Sequence, residues 1–201
     1  SQALATGADI RFYTPAGLVL PYQIEEWDTN SGASVWVSLP YIAGNARQEF
    51  RMCWGLASAT NQSSGPAVFN TANGFAAAMH LDGALKDEVG STTPVNAGTT
   101  VGTGIIGRGR TFVAGQGVDC GTSISNFPSG GQSHSTVAWL RPTATATAMS
   151  WGQEAGQAKI VVSVPAPPRI KVECYFGPDI DGTTTVTLAQ WTHVAFTYTG
   201  G

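Results

Sequence analysis

Apolar and polar residues alternate with a period of two in short runs that recur along most of the chain. The runs are rich in β-branched and aromatic residues, are bounded by Gly, Pro, Asn or Ser, and lie at residues 18–25, 35–39, 50–55, 75–81, 160–164, 170–176 and 194–198. Short runs of this kind are typical of β-strands. A helical period is almost absent, and the one Ala-rich run, 76–81, is too short to form a helix alone. The pattern therefore predicts an all-β protein of packed antiparallel sheets.

Two stretches interrupt the alternation. Residues 56–75 carry no charge and many small polar residues, which is typical of a loop. Residues 83–110 carry many Gly and Thr with little alternation. We place a domain boundary in the first stretch and expect two β-sandwich domains, residues 1–76 and 77–201, with long loops over 83–110.

The amino-acid composition excludes several classes of protein. Only 11% of the 201 residues are charged, less than half of the roughly 25% usual for globular domains, and the net charge is −3. With 42% hydrophobic residues and 25 glycines, the chain is neither disordered nor a helical bundle, because both need many charges. The sequence has no basic run, which argues against nucleic-acid binding. It also has no apolar run near the roughly 18 residues of a membrane helix, and residues 1–12 lack the basic and apolar regions of a signal peptide.

A specific string of residues marks the first part of the chain. It consists of Asp9 to Phe12, Leu20 to Ile24, Trp27, Val35 to Val37, Pro40 and Gly55. These positions resemble a bacterial domain of unknown function with the pattern LPYxIExW followed by VWVxxP. Cys53 and Trp54 stand where that family usually carries two aromatic residues, which is a mild departure.

Later segments resemble a second family. His80-Leu81-Asp82, the run from Gly104 to Gly117, and residues 136–152 and 188–201 are similar to the strands of a laminin-G-like, concanavalin-type jelly roll. The two resemblances together imply a non-catalytic binding or structural module of a bacterial envelope or secreted protein, outside the cytoplasmic membrane, with a glycan or another envelope protein as its partner. The alternative is the periplasmic part of a TolQ/ExbB-type proton channel. A concanavalin-fold glycoside hydrolase is the third possibility.

Candidate catalytic residues are few. A glycoside hydrolase needs two carboxylates on one sheet face, and Glu26 and Asp28 have the required spacing. They precede the turn residues TNSG, so we interpret them as solvated charges at a strand end. The histidines are His80, His134 and His193, and no nucleophile-elbow motif accompanies them. We expect His193 to face away from Val194, Phe196 and Tyr198 as a structural residue.

The jelly-roll resemblance also implies a possible structural calcium ion. Asp82 and Asp87 are the first choice for its carboxylate ligands, and Asp179 and Asp181 are the second. Since the sequence has no dense DxDxDG loop, plain loop carboxylates remain the alternative.

Six tryptophans suggest a sugar-binding surface, because exposed aromatic rings stack on sugar rings. Trp36 and Trp151 are the candidates for stacking. We expect Trp139 and Trp191 to lie in the core, and Trp27 and Trp54 to be framework positions of the first domain. For each tryptophan, core packing is the alternative.

Three cysteines, Cys53, Cys120 and Cys174, form no CxxC pair, and their number fits either one disulfide or three thiols. A Cys120–Cys174 disulfide with Cys53 free is our candidate, because Cys120 and Cys174 lie in the same expected domain.

The alternating run 192–199 stops at Gly200-Gly201, which is typical of a hairpin turn. We expect a returning strand from beyond residue 201 or from a neighbouring chain, paired with the open edge of this strand.

Overall fold

The computed structural model describes residues 2–30, 32–122, 124–154 and 159–200. It is 40% strand and 4% helix with several antiparallel sheets, which confirms the prediction of an all-β sandwich fold. The chain divides into two compact units, residues 1–127 and 128–201. The domain boundary expected near residue 76 lies inside the first unit and stays a prediction.

The first unit is built from short antiparallel pairs. Its strands are β1 (Arg11–Tyr13), β2 (Val19–Leu20), β3 (Tyr22–Asp28), β4 (Gly32–Val37), β5 (Arg51–Cys53), β6 (Val95–Ala97), β7 (Thr100–Thr103), β8 (Arg108–Thr111) and β9 (Gly117–Asp119). They pair in the orders β2-β1-β5, β3-β4, β6-β9 and β7-β8. Between β5 and β6 lie a one-turn helix α1 (Gly65–Val68) and a 3-10 turn (Thr71–Asn73).

The core of this unit follows from the alternation in β1 to β4. Ile10, Phe12, Leu20 and Tyr22 are buried, and Ile24, Trp27, Val35, Val37 and Leu39 pack against them. Gly7 makes the close packing of Trp27 possible. A Cβ at residue 7 would lie 2.7 Å from the indole ring, and the backbone there has a φ of +67°, which favours glycine.

The second unit contains two antiparallel sheets. Its strands are β10 (His134–Leu140), β11 (Ala146–Gly152), β12 (Lys159–Val164), β13 (Arg169–Cys174), β14 (Ile180–Thr185) and β15 (Thr192–Tyr198). One sheet has the order β11-β12-β13-β14, and the other is the pair β10-β15. Among the described residues of this unit, the buried apolar side chains are all valines: Val162, Val164, Val172, Val186 and Val194.

Strand β15 forms a sheet with β10. Among the described residues, β15 pairs with β10 alone, in continuous register from Leu140↔Thr192 to His134↔Tyr198. The returning strand expected after this segment stays a prediction, and Gly201, part of the expected turn, lies outside the described residues.

The expected Cys120–Cys174 disulfide is not formed, and all three cysteines are free. Cys120 follows β9 in the first unit, where its Sγ lies 3.7 Å from Met79 Sδ. Cys174 ends β13 in the second unit. The prediction of this disulfide was therefore wrong, and the two cysteines belong to different compact units.

No helix in the described part of the chain has the length and apolar character needed to cross a membrane.

Candidate functional site

A buried polar cluster forms on the β3–β4 hairpin of the first unit. The β3–β4 register shifts between Ile24 and Glu26, so Glu25 is an extra residue without an opposite partner. Its side chain is only 3% exposed. Glu25 Oε2 accepts hydrogen bonds from Trp36 Nε1 at 2.9 Å and from His80 Nδ1 at 2.8 Å. The carboxylate therefore joins both hairpin strands to a segment more than fifty residues further along the chain.

The cluster continues from His80 to a second carboxylate. His80 Nε2 lies 3.1 Å from Gln23 Oε1, and Gln23 Nε2 donates to Glu88 Oε1 at 3.2 Å. The last member of the cluster is Lys86, whose Nζ forms a 2.6 Å ion pair with Glu88 Oε2. Both ring nitrogens of His80 therefore lie within hydrogen-bond distance of side-chain oxygens, Nδ1 of Glu25 and Nε2 of Gln23. Gln23, Glu25, Trp36, His80, Lys86 and Glu88 are called the His80 cluster below.

Aromatic rings pack against the His80 cluster. The Phe69 ring lies 5.2 Å from the His80 ring and 5.6 Å from that of Trp36. Trp36, one of the two predicted stacking residues, is thus half-buried, with its indole N–H already donated to Glu25. The charged and polar groups of the cluster are hydrogen-bonded to one another. We therefore interpret the cluster as a structural network that stabilises the fold.

Asp87 has a structural role that differs from the predicted metal ligation. It is buried, and its Oδ1 accepts from the backbone N–H groups of Ala78 and Val89 at 2.9 and 3.2 Å. Its Oδ2 accepts from those of Ser91 and Thr92 at 2.8 and 3.2 Å. Four donors therefore surround the carboxylate and fold the loop around it.

Asp82 is placed next to a positive charge. Its carbonyl oxygen accepts a 2.8 Å hydrogen bond from Arg110 Nη2. A guanidinium at this position opposes the binding of a cation. In the described part of the chain, no three His, Cys, Asp or Glu side chains are grouped as a metal site. The calcium site that the jelly-roll resemblance implies stays a prediction.

The other predicted acidic pairs are engaged or exposed. Asp179 forms a 2.8 Å ion pair with Lys171, and Asp181 lies 3.4 Å from Arg169. The hydrogen bond from Lys171 lowers the pKa of Asp179, and the same bond raises the pKa of Lys171. Asp28 accepts from the backbone N–H of Asn30 at 2.8 Å in the turn, as expected for a strand-end charge.

Trp151, the second predicted stacking residue, packs inside the second unit. It is half-buried, and its ring lies 6.1 Å from that of His134. The Phe196 and Tyr198 rings surround the same histidine at 5.8 and 5.6 Å. Trp151 therefore offers little free surface to a ligand.

The exposed tryptophan of this unit is Trp139, which sequence reasoning placed in the core. It is 43% exposed on β10, so that prediction was wrong, and Trp191 is only half-buried. His193 lies directly opposite Trp139 on β15, with the ring centroids 5.1 Å apart in a T-shaped arrangement. The prediction that His193 faces away from Val194 is confirmed, because Val194 is buried while His193 is exposed.

The surface around Trp139 is uncharged and continuous along the two strands. Val137, which is 63% exposed, lies opposite Ala195. Beyond them, the Ser135 and Thr197 hydroxyl oxygens are 3.1 Å apart. The six residues Ser135, Val137, Trp139, His193, Ala195 and Thr197 are called the outer face of β10–β15. Alternation in β10 places Val137 and Trp139 on one face, but it gives no signal that this apolar face is exposed.

Comparison with known proteins identifies part of the chain. Residues 6–84 match the family described as a domain of unknown function (DUF2341). The first part of the chain thus contains a DUF2341 domain. The match covers less than half of the chain, and it includes Gln23, Glu25, Trp36 and His80 of the His80 cluster. No curated protein and no solved structure matches the chain. The jelly-roll resemblance of the later residues stays a prediction.

Proposed function

We propose that the chain is a non-catalytic carbohydrate-binding module of a bacterial envelope or secreted protein that works outside the cytoplasmic membrane. The observation that carries the proposal is the exposed Trp139, held in a T-shaped contact with His193 on the outer face of β10–β15. An indole ring on a sheet surface presents a flat apolar area to the C–H face of a sugar ring.

The polar groups beside Trp139 suit sugar hydroxyls. The His193 imidazole lies at one end of the outer face, and the Ser135 and Thr197 hydroxyls lie at the other. These groups donate and accept hydrogen bonds without carrying a fixed charge. A surface of this composition favours a neutral glycan over an ionic ligand.

A non-catalytic role is supported by where the acidic residues lie. The outer face of β10–β15 contains no Asp or Glu, and Asp179 and Asp181 are near basic partners on β13. A glycosidase places two carboxylates on either side of the bond that it cleaves. We therefore propose binding without hydrolysis.

For the rest of the architecture, we propose that residues 77–201 include a concanavalin or laminin-G-like jelly roll. The two antiparallel sheets of the second unit and the resemblance of residues 136–152 and 188–201 to jelly-roll strands support this assignment. The low charge and the resemblance to domains of bacterial surface proteins support the location outside the cytoplasmic membrane.

The experiment is a glycan-array screen of the 201-residue chain, followed by affinity measurement on the glycans that bind. Trp139→Ala should weaken binding at least tenfold, because it removes the stacking surface. Trp54→Ala is the matched control, since Trp54 is 48% exposed and lies in the first unit. Equal loss in the two variants, or no glycan bound by the unaltered chain, would overturn the proposal.

A further inference from the structure

Arg110 lies in a cavity of the first unit that is separate from the His80 cluster. The cavity has a volume of about 450 Å³. Leu85, Pro94 and Val101 supply its apolar wall, Asn96 and Thr99 supply polar groups, and Arg110 supplies its one charge. The cavity is shallow and open to solvent, and it combines an apolar wall with a few polar groups, as small-molecule sites do.

The guanidinium of Arg110 contacts only neutral groups. Nη2 donates to the backbone oxygens of Asp82 and Gly83 at 2.8 and 3.3 Å, and Nη1 donates to Thr99 Oγ1 at 3.3 Å. Its Nε is buried without a hydrogen-bond partner. None of the ion pairs among the described residues includes Arg110. The guanidinium therefore has no ion-pair partner in the described part of the chain.

The groups that hold Arg110 are themselves fixed. Thr99 is buried, and its hydroxyl donates to Asn96 Oδ1 at 2.6 Å. The same Asn96 oxygen accepts from Thr99 N at 2.9 Å, and Asn96 Nδ2 donates to Thr99 O at 3.1 Å. Arg110 therefore donates to a threonine hydroxyl that Asn96 already holds in one orientation. This arrangement reduces the conformational entropy that is lost when a ligand binds.

We infer that this cavity binds the carboxylate of a small organic acid, with the apolar part of the acid against Leu85, Pro94 and Val101. A partly buried charge that meets only neutral acceptors is poorly compensated, and an oxyanion offsets that deficit. Arginine is well suited to the task because its planar guanidinium pairs with carboxylate oxygens. The site lies in the first compact unit and does not rest on the carbohydrate proposal.

The probe is benzoate, with benzyl alcohol as its uncharged counterpart, titrated into the whole chain labelled with ¹⁵N. We expect benzoate to shift the Arg110 Nε–H signal and the Thr99 and Val101 amides saturably, with a dissociation constant on the order of 1 mM. Benzyl alcohol should shift them at least tenfold less at the same concentration. Equal shifts with both compounds would overturn the inference. The absence of any shift with benzoate at about 50 times the expected dissociation constant would also overturn it.

Two pairs of variants test the role of the charge. Arg110→Gln should weaken benzoate binding at least tenfold, while Arg108→Gln, an exposed arginine on the same strand, should stay within twofold. Val101 lies directly opposite Arg110 in the β7–β8 register, so Val101→Glu places a carboxylate beside the guanidinium and should block binding with Arg110 retained. Val95→Glu, on exposed β6, is its control. Benzoate binding that survives both Arg110→Gln and Val101→Glu would contradict the assignment.

Discussion

At the scale of single residues, the His80 cluster shows how this charge-poor chain handles buried polar groups. Glu25 accepts from Trp36 and His80, and Glu88 accepts from Gln23 and Lys86. Sequence reasoning treated His80 only as an isolated histidine and assigned no role to Glu25. The partners of His80 lie too far away along the chain for any local pattern to join them, and the bulge that turns Glu25 inward has no sequence signal of its own.

The cluster predicts a large effect for the loss of Glu25. Glu25→Ala leaves Trp36 Nε1 and His80 Nδ1 without their acceptor, so the free energy of unfolding should fall by about 2–4 kcal/mol. Glu49→Ala, which removes an exposed ion pair with Arg47, should change it by less than about 1 kcal/mol. Urea unfolding of the three proteins measures both values, and equal effects would contradict the internal role of Glu25.

Gly65 gives a second test of the same cluster. A Cβ at residue 65 would overlap the Glu88 carboxyl group, which Lys86 and Gln23 hold in place. Gly65→Ala should therefore lower the free energy of unfolding by about 2 kcal/mol. Gly44→Ala is the control, because its Cβ would meet open space. A neutral Gly65→Ala would mean that Glu88 moves freely.

The three free thiols should differ in reactivity. Cys53 is exposed, whereas Cys120 and Cys174 are half-buried. Burial raises the pKa of Cys120, with the charges of Asp119 and Asp87 adding to the effect, and burial followed by the charge of Asp179 raises the pKa of Cys174. Since the thiolate is the reactive form, iodoacetamide should label Cys53 first, as followed by peptide mass spectrometry. A Cys120–Cys174 bridge in the unreduced protein would contradict the structure.

At the scale of elements, alternation predicted some strands well and others poorly. Residues 160–164, 170–176 and 194–198 coincide largely with β12, β13 and β15. Residues 75–81 contain no strand, only an isolated bridge between Met79 and Asp87. Ala78 explains the difference, because its N–H donates to the Asp87 side chain, where a strand would give it a backbone partner.

The stretch 83–110 was interpreted as loops, yet it contains β6, β7 and the start of β8. These strands are short and largely exposed, and they carry Gly, Thr and Arg. Because they bury few apolar side chains, the period-two signal is missing there. The Arg110 cavity, which depends on the β7–β8 pairing, could not be predicted from the sequence for the same reason.

Asp9 joins the N-terminal segment to the residues that follow β5, and the loss of its charge in acid should lower the stability of the fold. Its carboxylate accepts from the backbone N–H groups of Leu4 and Gly55 at 2.9 and 2.7 Å. Burial alone would raise the pKa of Asp9, but these hydrogen bonds and the charge of Arg11 hold it below the usual 3.8. A lowered pKa stabilises the fold above the pKa of the unfolded chain, and the contribution disappears as the pH falls through the folded value.

The corresponding measurement compares the unaltered chain with Asp9→Asn. The unaltered chain should be the more stable at pH 6, and the difference in the free energy of unfolding should shrink as the pH is lowered below about 4. A difference that stays constant from pH 6 to pH 2 would show that the ionised carboxylate contributes nothing.

At the scale of the whole molecule, the chain combines a DUF2341 domain with later residues that the family match does not cover. The resemblance of the first residues was confirmed because a long, specific string carries it, and the DUF2341 match ends at residue 84. The division between the two compact units falls after residue 127, and the domain boundary drawn from loop composition stays a prediction. Pairings such as β6–β9 lie beyond the loop 56–75, and sequence gave no sign that they continue the first unit.

The outer face of β10–β15 is where the sequence and the structure diverge most in functional terms. Trp36 and Trp151, chosen for alternation and a strand-end position, pack against other rings, and Trp139, chosen as a core residue, is exposed. Alternation shows which residues share a face, but which face is covered depends on the other sheet.

The most direct measurement is a titration of the ¹⁵N-labelled chain with the strongest-binding glycan of the array, followed through the indole N–H signals of its tryptophans. The account predicts that the Trp139 signal shifts saturably, together with the His193 and Val137 amides, while the exposed Trp54 signal does not move. An unchanged Trp139 signal under saturating glycan, or shifts confined to Trp54 or Trp36, would contradict it.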